Sequence, residues 1–187
     1  MRPVAFVMVL LALAGCAEQE PPSKDSARCD RPAQVVDTAL LAYLSKARSV
    51  HLQADLAEAE GHIDEAIALL DKLVHAPAPG ASDLPPEIRE VLADTLARLA
   101  ELRSARHEHE AARADIQRGL ELAQARTHFR GRLYEVLGAV EKRVFEELRD
   151  KGDGPGAKAA KQRSLKALEE AVAIQEEVIQ RALGDTP

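Results

Sequence analysis

The clearest helical pattern in the chain is GHIDEAIALLDKLV, residues 61–74. Its apolar side chains recur at intervals of three and four residues, which places them on one face of an α-helix. Gly61 opens this stretch and Pro77 follows it, so residues that interrupt a helix stand at both ends. The pattern predicts an amphipathic helix that buries one face against a neighbour.

The same periodicity extends in both directions from this stretch, and no segment shows sustained strand-like alternation. Upstream, we predict a helix from about Pro32 to Glu60. Downstream, four more helices are predicted. The third begins near Pro85 and Pro86 and has an apolar stripe that extends to Leu102, and the others lie at about residues 108–125, 127–151 and 157–183. The sequence therefore predicts an all-α domain over residues 31–187, with about six helices in three antiparallel hairpins.

Several local signals guide these bounds. Asp30 with Pro32 gives a start signal for the first helix, and Asp83 is expected to cap the third, ahead of two prolines with preset φ angles. The Gly-rich run 152–156 is expected to separate the fifth and sixth helices. Gly119 lies inside the fourth helix at a cost of about 1 kcal/mol, which suggests that another backbone packs closely against it.

Parts of the three hairpins resemble one another. Residues 61–73 have a weaker counterpart at 108–122 and another at 168–179, with Ala66, Ala112 and Ala171 in matching places. These segments resemble the turn and second helix of a tetratricopeptide repeat (TPR). Pairs of Leu and a small residue at 99–100 and 137–138 resemble its first helix. The resemblance implies a TPR-like α-solenoid, a stack of helix pairs that binds other proteins.

The chain also departs from that family. The three matching alanines are 46 and 59 residues apart, whereas the family repeats at about 34 residues. Ala57, Arg103 and Glu141 stand where the family usually has Tyr. Any helical bundle needs apolar stripes, so an irregular α-helical bundle is the alternative architecture.

The N-terminus carries an export signal. Arg2 is followed by an uninterrupted apolar run at residues 4–14, which is shorter than the roughly 20 residues of a membrane-spanning helix. The run ends in Leu-Ala-Gly-Cys, residues 13–16, which resembles the lipobox of bacterial lipoproteins. The resemblance implies a signal peptide at 1–15 that is removed and a lipid on Cys16. The alternatives are an ordinary cleaved secretory signal and an apolar N-terminus that arises by chance.

The resemblance also implies a location. In lipoproteins of double-membraned bacteria, Asp after the lipidated Cys commonly means retention at the inner membrane, and here Ala17 takes that place. We therefore expect lipid anchoring at the outer membrane, on its periplasmic face. Residues 16–30 contain little to bury and are predicted to form a flexible tether. Cys29 is then a lone thiol, which either stays inert or forms an intermolecular disulfide.

Composition and motifs exclude several functions. The 187 residues carry 31 acidic and 25 basic side chains, for a net charge of −6, and no basic region for nucleic acid is present. No nucleophile elbow, phosphate-binding loop or Cys pair at metal spacing occurs, so we expect no enzyme and no cofactor. His107 and His109, two residues apart on a helix, should point to different sides, so no metal site is predicted.

In a repeat stack, the first helix of each hairpin lines the concave side. The resemblance therefore places part of the fifth helix toward a partner-binding groove. The candidate groove residues are Arg132, Glu135, Ala139, Lys142 and Arg143. Such a groove would receive an acidic peptide. The alternative is a solvated face whose charges balance Glu135, Glu141, Glu146 and Glu147.

These expectations together favour a membrane-anchored periplasmic scaffold or adaptor for other envelope proteins, which could assist assembly of an outer-membrane complex. The alternative is a helical-bundle lipoprotein that binds a small apolar ligand or a metal. A deep closed pocket would favour the small ligand, and an open groove would favour a protein partner. The sixth helix leaves one apolar side without an obvious cover, so a homodimer through it is a further option.

Overall fold

The computed structural model describes residues 37–80 and 83–184 of the chain, and six α-helices account for most of them. The helices are α1 (Thr38–Ala59), α2 (Ile63–Val74), α3 (Pro86–Ala105), α4 (His109–Leu122), α5 (His128–Asp150) and α6 (Gly154–Gly184). No strand occurs within the described ranges. The prediction of an all-α fold with six helices is confirmed.

The helices pack in chain order. α1 pairs with α2, α3 with α4, and α5 with α6. α3 also contacts α1 and α2, and α5 also contacts α3 and α4. Over the described residues, no backbone contacts join the first hairpin to the third. Each hairpin therefore packs on its predecessor through its own first helix.

Apolar side chains fill both junctions between hairpins. Leu70 and Leu99 are fully buried where the second hairpin meets the first. Ile116, Leu133 and Val136 are buried where the third hairpin meets the second. The amphipathic stripes read from the sequence are thus buried in α2 to α5, and this burial is the main stabilising contribution to the fold.

The starts of two helices differ from their predicted positions. Asp37 accepts hydrogen bonds from the backbone N–H groups of Ala39 and Leu40 at 2.9 and 3.1 Å, so α1 begins at Thr38 instead of near residue 32. Asp83 does not cap α3, because Pro85 occupies the capping position and makes no side-chain hydrogen bond there.

The start of α6 was also predicted too late. The helix begins at Gly154, and the Asp153 carboxylate accepts a hydrogen bond from the Gly156 N–H at 2.9 Å. Pro155 fits the first turn of a helix, where its missing N–H has no intrahelical partner to lose. The Gly-Pro-Gly run is therefore part of the first turn of α6.

Small residues let α5 and α6 approach closely. The Ser164 hydroxyl donates a hydrogen bond to the Gly138 carbonyl at 2.8 Å, and a Cβ added to Gly138 would lie only 2.6 Å from the Leu168 side chain. At Gly119 the close neighbour is the Leu133 side chain, 2.5 Å from an added Cβ, so the expected approach of a second backbone is wrong there.

Two charged side chains connect successive second helices. Arg103 of α3 donates hydrogen bonds to Asp71 of α2, at 2.9 Å, and to Asp115 of α4. Both charges lie inside the junction between the hairpins, since Asp115 is buried and Arg103 is half-buried. The pair therefore joins three helices at one point.

Glu141 of α5 makes the corresponding connection with the opposite sign. It accepts hydrogen bonds from Arg113 of α4 at 2.6 Å and from Arg163 of α6 at 2.8 Å. Its side chain is only 2% exposed, so its assignment to a solvated face is wrong. Arg103 and Glu141 each lie three residues after the small member of a Leu-plus-small pair, so they occupy equivalent positions.

The two buried carboxyl groups respond differently to this environment. Burial raises the pKa of Glu141, but hydrogen bonds from Arg113 and Arg163 outweigh burial and hold the pKa below its usual value. Burial dominates at Asp115, whose pKa lies above its usual value despite the hydrogen bond from Arg103. Glu141 therefore stabilises the fold as an anion more effectively than Asp115 does.

Replacing Gly138 with Leu should lower the free energy of unfolding by about 1–3 kcal/mol, because the added side chain meets Leu168 where α5 and α6 are closest. Urea unfolding measures the change. Gly184→Leu is the control, since nothing lies within 4 Å of a Cβ added there. Equal losses in the two variants would show that α5 and α6 are not closely packed at Gly138.

Glu141→Gln should lower the free energy of unfolding at pH 7 by about 1–3 kcal/mol, because a neutral amide replaces the buried carboxylate that pairs with the partly exposed Arg113 and Arg163. A carboxyl whose pKa is lower in the folded chain stabilises it fully above the unfolded value of about 4.5 and loses this effect as the pH falls through the folded value. The difference from wild type should therefore shrink as the pH falls below 4.5, in urea unfolding at pH 7 and pH 3.

Glu135→Gln is the matched control for this pH series, because Glu135 is exposed on the same helix. Its free energy of unfolding should stay within about 0.5 kcal/mol of wild type at both pH values. A loss in Glu141→Gln that is the same at pH 7 and pH 3 would contradict the role assigned to the ionised carboxylate.

Candidate functional site

The first helices of the hairpins form one face that carries two open clefts. A cleft of about 380 Å³ is lined by α1, α3 and α5, and a second of about 270 Å³ is lined by the same three helices nearer their other ends. The larger cleft is lined by Glu58, Arg98, Glu101, Leu102, Ala105, Val136, Ala139, Val140 and Arg143. We call this surface the first-helix face.

The predicted groove residues fall on or beside this face. Ala139 and Arg143 line the larger cleft. Arg132 donates hydrogen bonds to Asp94 at 3.2 Å and to Glu101 at 3.1 Å, both on α3. Arg143 donates to the Glu101 backbone carbonyl at 3.3 Å. The structure therefore brings these three residues together along the contact between α3 and α5.

The other two predicted groove residues are placed differently. Glu135 is exposed on α5, and Lys142 pairs with Glu146 of its own helix at 3.7 Å. The face also contains Arg98, which sequence analysis did not select and which pairs with Asp55 at 2.7 Å and Glu58 at 2.5 Å. Its arginines thus meet carboxylates of neighbouring helices, and the face is mixed in charge instead of basic.

One side of α6 exposes large apolar side chains. Leu165, Leu168, Val172 and Ile179 are 50%, 39%, 52% and 55% exposed, and their spacing of three, four and seven residues places them in one stripe. The opposite side of α6 packs on α5 through small residues such as Ala167. The expectation that α6 leaves an apolar side uncovered is confirmed for the described residues. We call this stripe the outer face of α6.

A third surface lies in the groove between α5 and α6. This cleft of about 630 Å³ is half-open to solvent, and Tyr134 and Leu137 line it together with the ion pair of Glu141 and Arg163. It is open on one side, unlike the deep closed pocket expected for a small apolar ligand.

The turns inside the three hairpins share one backbone geometry. Gly61, His107 and Gly152 have φ angles of 82°, 65° and 77°. In each turn the N–H of this residue bonds the carbonyl three residues earlier, and the next N–H bonds the carbonyl five residues before it. This Schellman pattern favours glycine, because a side chain is disfavoured in the left-handed region.

His107 is therefore unusual for its position. It is the one residue other than glycine with a positive φ in the part of the chain that the structure describes. The left-handed conformation costs an ordinary residue about 1–2 kcal/mol relative to the right-handed one. A residue that keeps a costly backbone conformation is a candidate for a functional role. The side chain of His107 contacts Glu147 near the end of α5.

Two imidazoles meet one carboxylate at this turn. The distance from His107 Nδ1 to Glu147 Oε1 is 2.5 Å, and that from His109 Nε2 to the same oxygen is 2.7 Å. The expectation that the two histidines point to different sides is wrong, because His107 lies in the turn before α4, where helical periodicity does not apply. These three side chains form what we call the His-His-Glu cluster.

The electrostatics of the cluster follow from these contacts. Hydrogen bonds donated by His107 and His109 lower the pKa of Glu147 to about 2, so the carboxylate is ionised at neutral pH. Lys151 Nζ lies 4.0 Å from the other carboxylate oxygen. Ser104 Oγ lies 3.2 Å from His109 Nδ1 on the far side of that ring. Imidazole nitrogen and carboxylate oxygen are ligands for divalent metal ions, and the three ligand atoms lie within 4.8 Å of one another.

The predicted lipid anchor cannot be placed on this structure. The signal peptide at 1–15, Cys16, the tether to residue 30 and Cys29 all lie outside the described residues. Among the helices that are described, none combines the length and the apolar character needed to cross a bilayer.

Comparison of the chain with protein-family models, with curated proteins and with solved structures found no match.

Replacing His107 with Gly should leave the protein at least as stable as wild type, and by up to about 1 kcal/mol more stable, because the left-handed backbone no longer carries a side chain. The lost pair with Glu147 offsets little of this gain, since His107 is largely exposed. Thermal unfolding tests the prediction. Gly61→Ala is the reverse substitution in the equivalent turn. It should be destabilising because of the left-handed backbone alone, since nothing lies within 4 Å of the added Cβ. A clear loss of stability in His107→Gly would mean that the imidazole holds the turn together.

Proposed function

We propose that this protein is a membrane-anchored scaffold lipoprotein that holds other envelope proteins at the periplasmic face of the outer membrane. In this proposal, lipid on Cys16 supplies the location, residues 16–30 supply reach, and the helical domain supplies the contacts. Assistance in assembling an outer-membrane complex is the role that fits such a scaffold. The proposal contains no catalytic step.

The order of helix contacts supports a TPR-like stack as the architecture of the scaffold. In repeat stacks each unit contacts only its neighbours along the chain, and α3 and α5 make the corresponding contacts here. The shared hydrogen-bond pattern of the turns at Gly61, His107 and Gly152 is also what a repeated unit would have. An irregular bundle would have no reason to repeat both features.

The observation that carries protein binding is the outer face of α6. Leu165, Val172 and Ile179 lie in one stripe with about half of their surface in water, and a cleft of about 380 Å³ runs along it. Leu168 belongs to the edge of the stripe, where it also packs against Gly138 of α5. Single exposed apolar residues are ordinary, but a contiguous apolar stripe is typical of a protein interface. Glu169 and Glu176 flank the stripe, as expected for the polar edge of such an interface.

The first-helix face offers a second contact surface of different chemistry. Its charges are already paired between helices, as with Arg98 and Asp55 or Arg132 and Asp94, so a partner would not have to neutralise a buried charge. The open cleft between α5 and α6 supports a small apolar ligand less well, because such ligands are usually enclosed by their site.

The proposal predicts a partner that depends on both the anchor and the outer face of α6. We would crosslink envelopes that contain the full-length chain, capture it by an affinity tag, and identify the bound proteins by mass spectrometry. Wild type would be compared with Cys16→Ser, which cannot be lipidated, and with Val172→Glu, which puts a charge in the stripe. Gln180→Glu is the matched control, because it adds the same charge at an exposed position of α6 beside the stripe.

An envelope protein that is captured with wild type and Gln180→Glu, but is depleted about tenfold or more with Cys16→Ser and Val172→Glu, would support the scaffold. Recovery of the protein alone from every sample would contradict it. Recovery of a crosslinked second copy, sensitive to Val172→Glu, would replace the scaffold surface with a homodimer interface.

A further inference from the structure

We propose that His107, His109 and Glu147 form a binding site for a divalent transition-metal ion such as Zn²⁺, which joins the turn between α3 and α4 to the end of α5. The inference is independent of the scaffold function, because it rests on the His-His-Glu cluster alone. Its ligand atoms are His107 Nδ1, His109 Nε2 and a carboxylate oxygen of Glu147.

The cluster needs only small movements to accept an ion. Zinc binds imidazole nitrogen and carboxylate oxygen at about 2.0–2.2 Å, which in a tetrahedral site separates neighbouring ligand atoms by about 3.3 Å. The nitrogen-to-oxygen distances are now 2.5 and 2.7 Å. Each nitrogen-to-oxygen distance would therefore open by less than about 1 Å. The three ligand atoms already lie within 4.8 Å of one another, and the exposed ring of His107 in its turn has room to adjust.

The donor set also suits the ion. Two histidines and one carboxylate are ligands that zinc and other borderline divalent metals accept, and three protein ligands leave a position for water. In the metal-free protein each ring nitrogen that faces the ionised Glu147 carries a proton, since the carboxylate can only accept. Binding requires that proton to move to the other ring nitrogen or to leave.

Ser104 supplies the hydrogen bond that the second histidine then needs. When His109 Nε2 faces a metal, Nδ1 carries the proton, and Ser104 Oγ lies 3.2 Å away to accept it. Metal-binding histidines commonly donate their other N–H to such a partner, which orients the ring. Ser104 is buried and lies on α3, so the orienting group is part of the packed helix.

The backbone at His107 is the second reason to assign a site. The equivalent turns have Gly61 and Gly152 at this left-handed position, where glycine has no steric penalty. His107 has a side chain and therefore pays the steric cost of this conformation. The turn places its ring against Glu147, which is 40 residues away in the chain. A ligand role accounts for a histidine at this position, whereas the turn alone is satisfied by glycine.

Lys151 is the one lysine or arginine that forms an ion pair with Glu147 in the described part of the chain, and its charge bears on the affinity of the site. Its amine lies 4.0 Å from the carboxylate oxygen that does not face the histidines, and its side chain is largely exposed. A positive charge there opposes a bound cation, but the flexible lysine can turn into solvent. Lys151→Gln should therefore increase the affinity for the metal ion. If the three side chains only form hydrogen bonds with one another, the substitution should have no such effect.

The test is calorimetric titration of the full-length chain in detergent with ZnCl₂ at pH 7.5. Cys16 and Cys29 are replaced with Ser in every sample, because thiolates are themselves zinc ligands. We expect one ion per chain. Loss of an orienting partner alone weakens metal affinity about 10- to 100-fold, so Ser104→Ala should fall in that range and Glu147→Gln should lose at least as much.

His107→Asn removes one ligand with the least change in the backbone, because Asn tolerates the left-handed region. It should weaken zinc binding at least about tenfold while thermal unfolding without metal stays unchanged. His128→Gln is the matched control, since it removes a histidine outside the cluster and should leave the affinity unchanged. Titration with CoCl₂ should give the visible absorption of a nitrogen- and oxygen-ligated ion in wild type and lose it in His107→Asn.

Absence of zinc binding tighter than about 1 mM in wild type would overturn the proposal, and so would equal affinities in wild type and His107→Asn. If His107→Asn fails to fold, His107→Gly takes its place, because glycine is the residue used in the two equivalent turns. If a variant keeps its thermal stability but no longer binds zinc, the replaced side chain is a metal ligand and does not merely stabilise the fold.

Discussion

An ion pair with a buried carboxylate at each junction between hairpins is the constraint on which the stacking depends. Arg103 joins the two second helices on either side of it, and Glu141 does the same one hairpin later with the opposite sign. A buried charge is costly unless its partners are in place, so each junction tolerates little sliding or rotation of one hairpin on the next. A large aromatic residue at the same place would fill space without this directional requirement, because apolar packing is not directional.

The contact between α5 and α6 decides which surface is left for partners. Gly138 and Ser164 let the helices approach until a hydroxyl reaches a backbone carbonyl, so α6 buries its small residues. Its large apolar residues, such as Leu165 and Val172, then face away from the domain. Helices usually bury their largest apolar side chains, but on α6 only Ile174 among the large ones is fully buried. The exposed large residues on the opposite side make the outer face an interface candidate instead of a part of the core.

Many of the relevant residues stand out in the sequence, but some of their neighbours do not. Arg103 and Glu141 depart from the repeat pattern, yet their partners lie 12 to 32 residues away on other helices. Helical spacing separates His107 from His109, but it does not apply to His107, which lies in a turn. The missing signal was the alignment of the three turns, since Gly61 and Gly152 mark the left-handed position that His107 occupies.

The sequence by itself determined the helical class, the number of helices and the positions of the turns, because apolar spacing, proline and glycine act within a few residues of themselves. Only the tertiary structure decided which charges meet and which surfaces stay open. The contacts of Glu147 with His107 and of Arg132 with Asp94 join residues 40 and 38 positions apart. Such pairs depend on the docking of one hairpin against the next, which is set by burial and ion pairing across the whole domain and leaves no periodic trace in the chain.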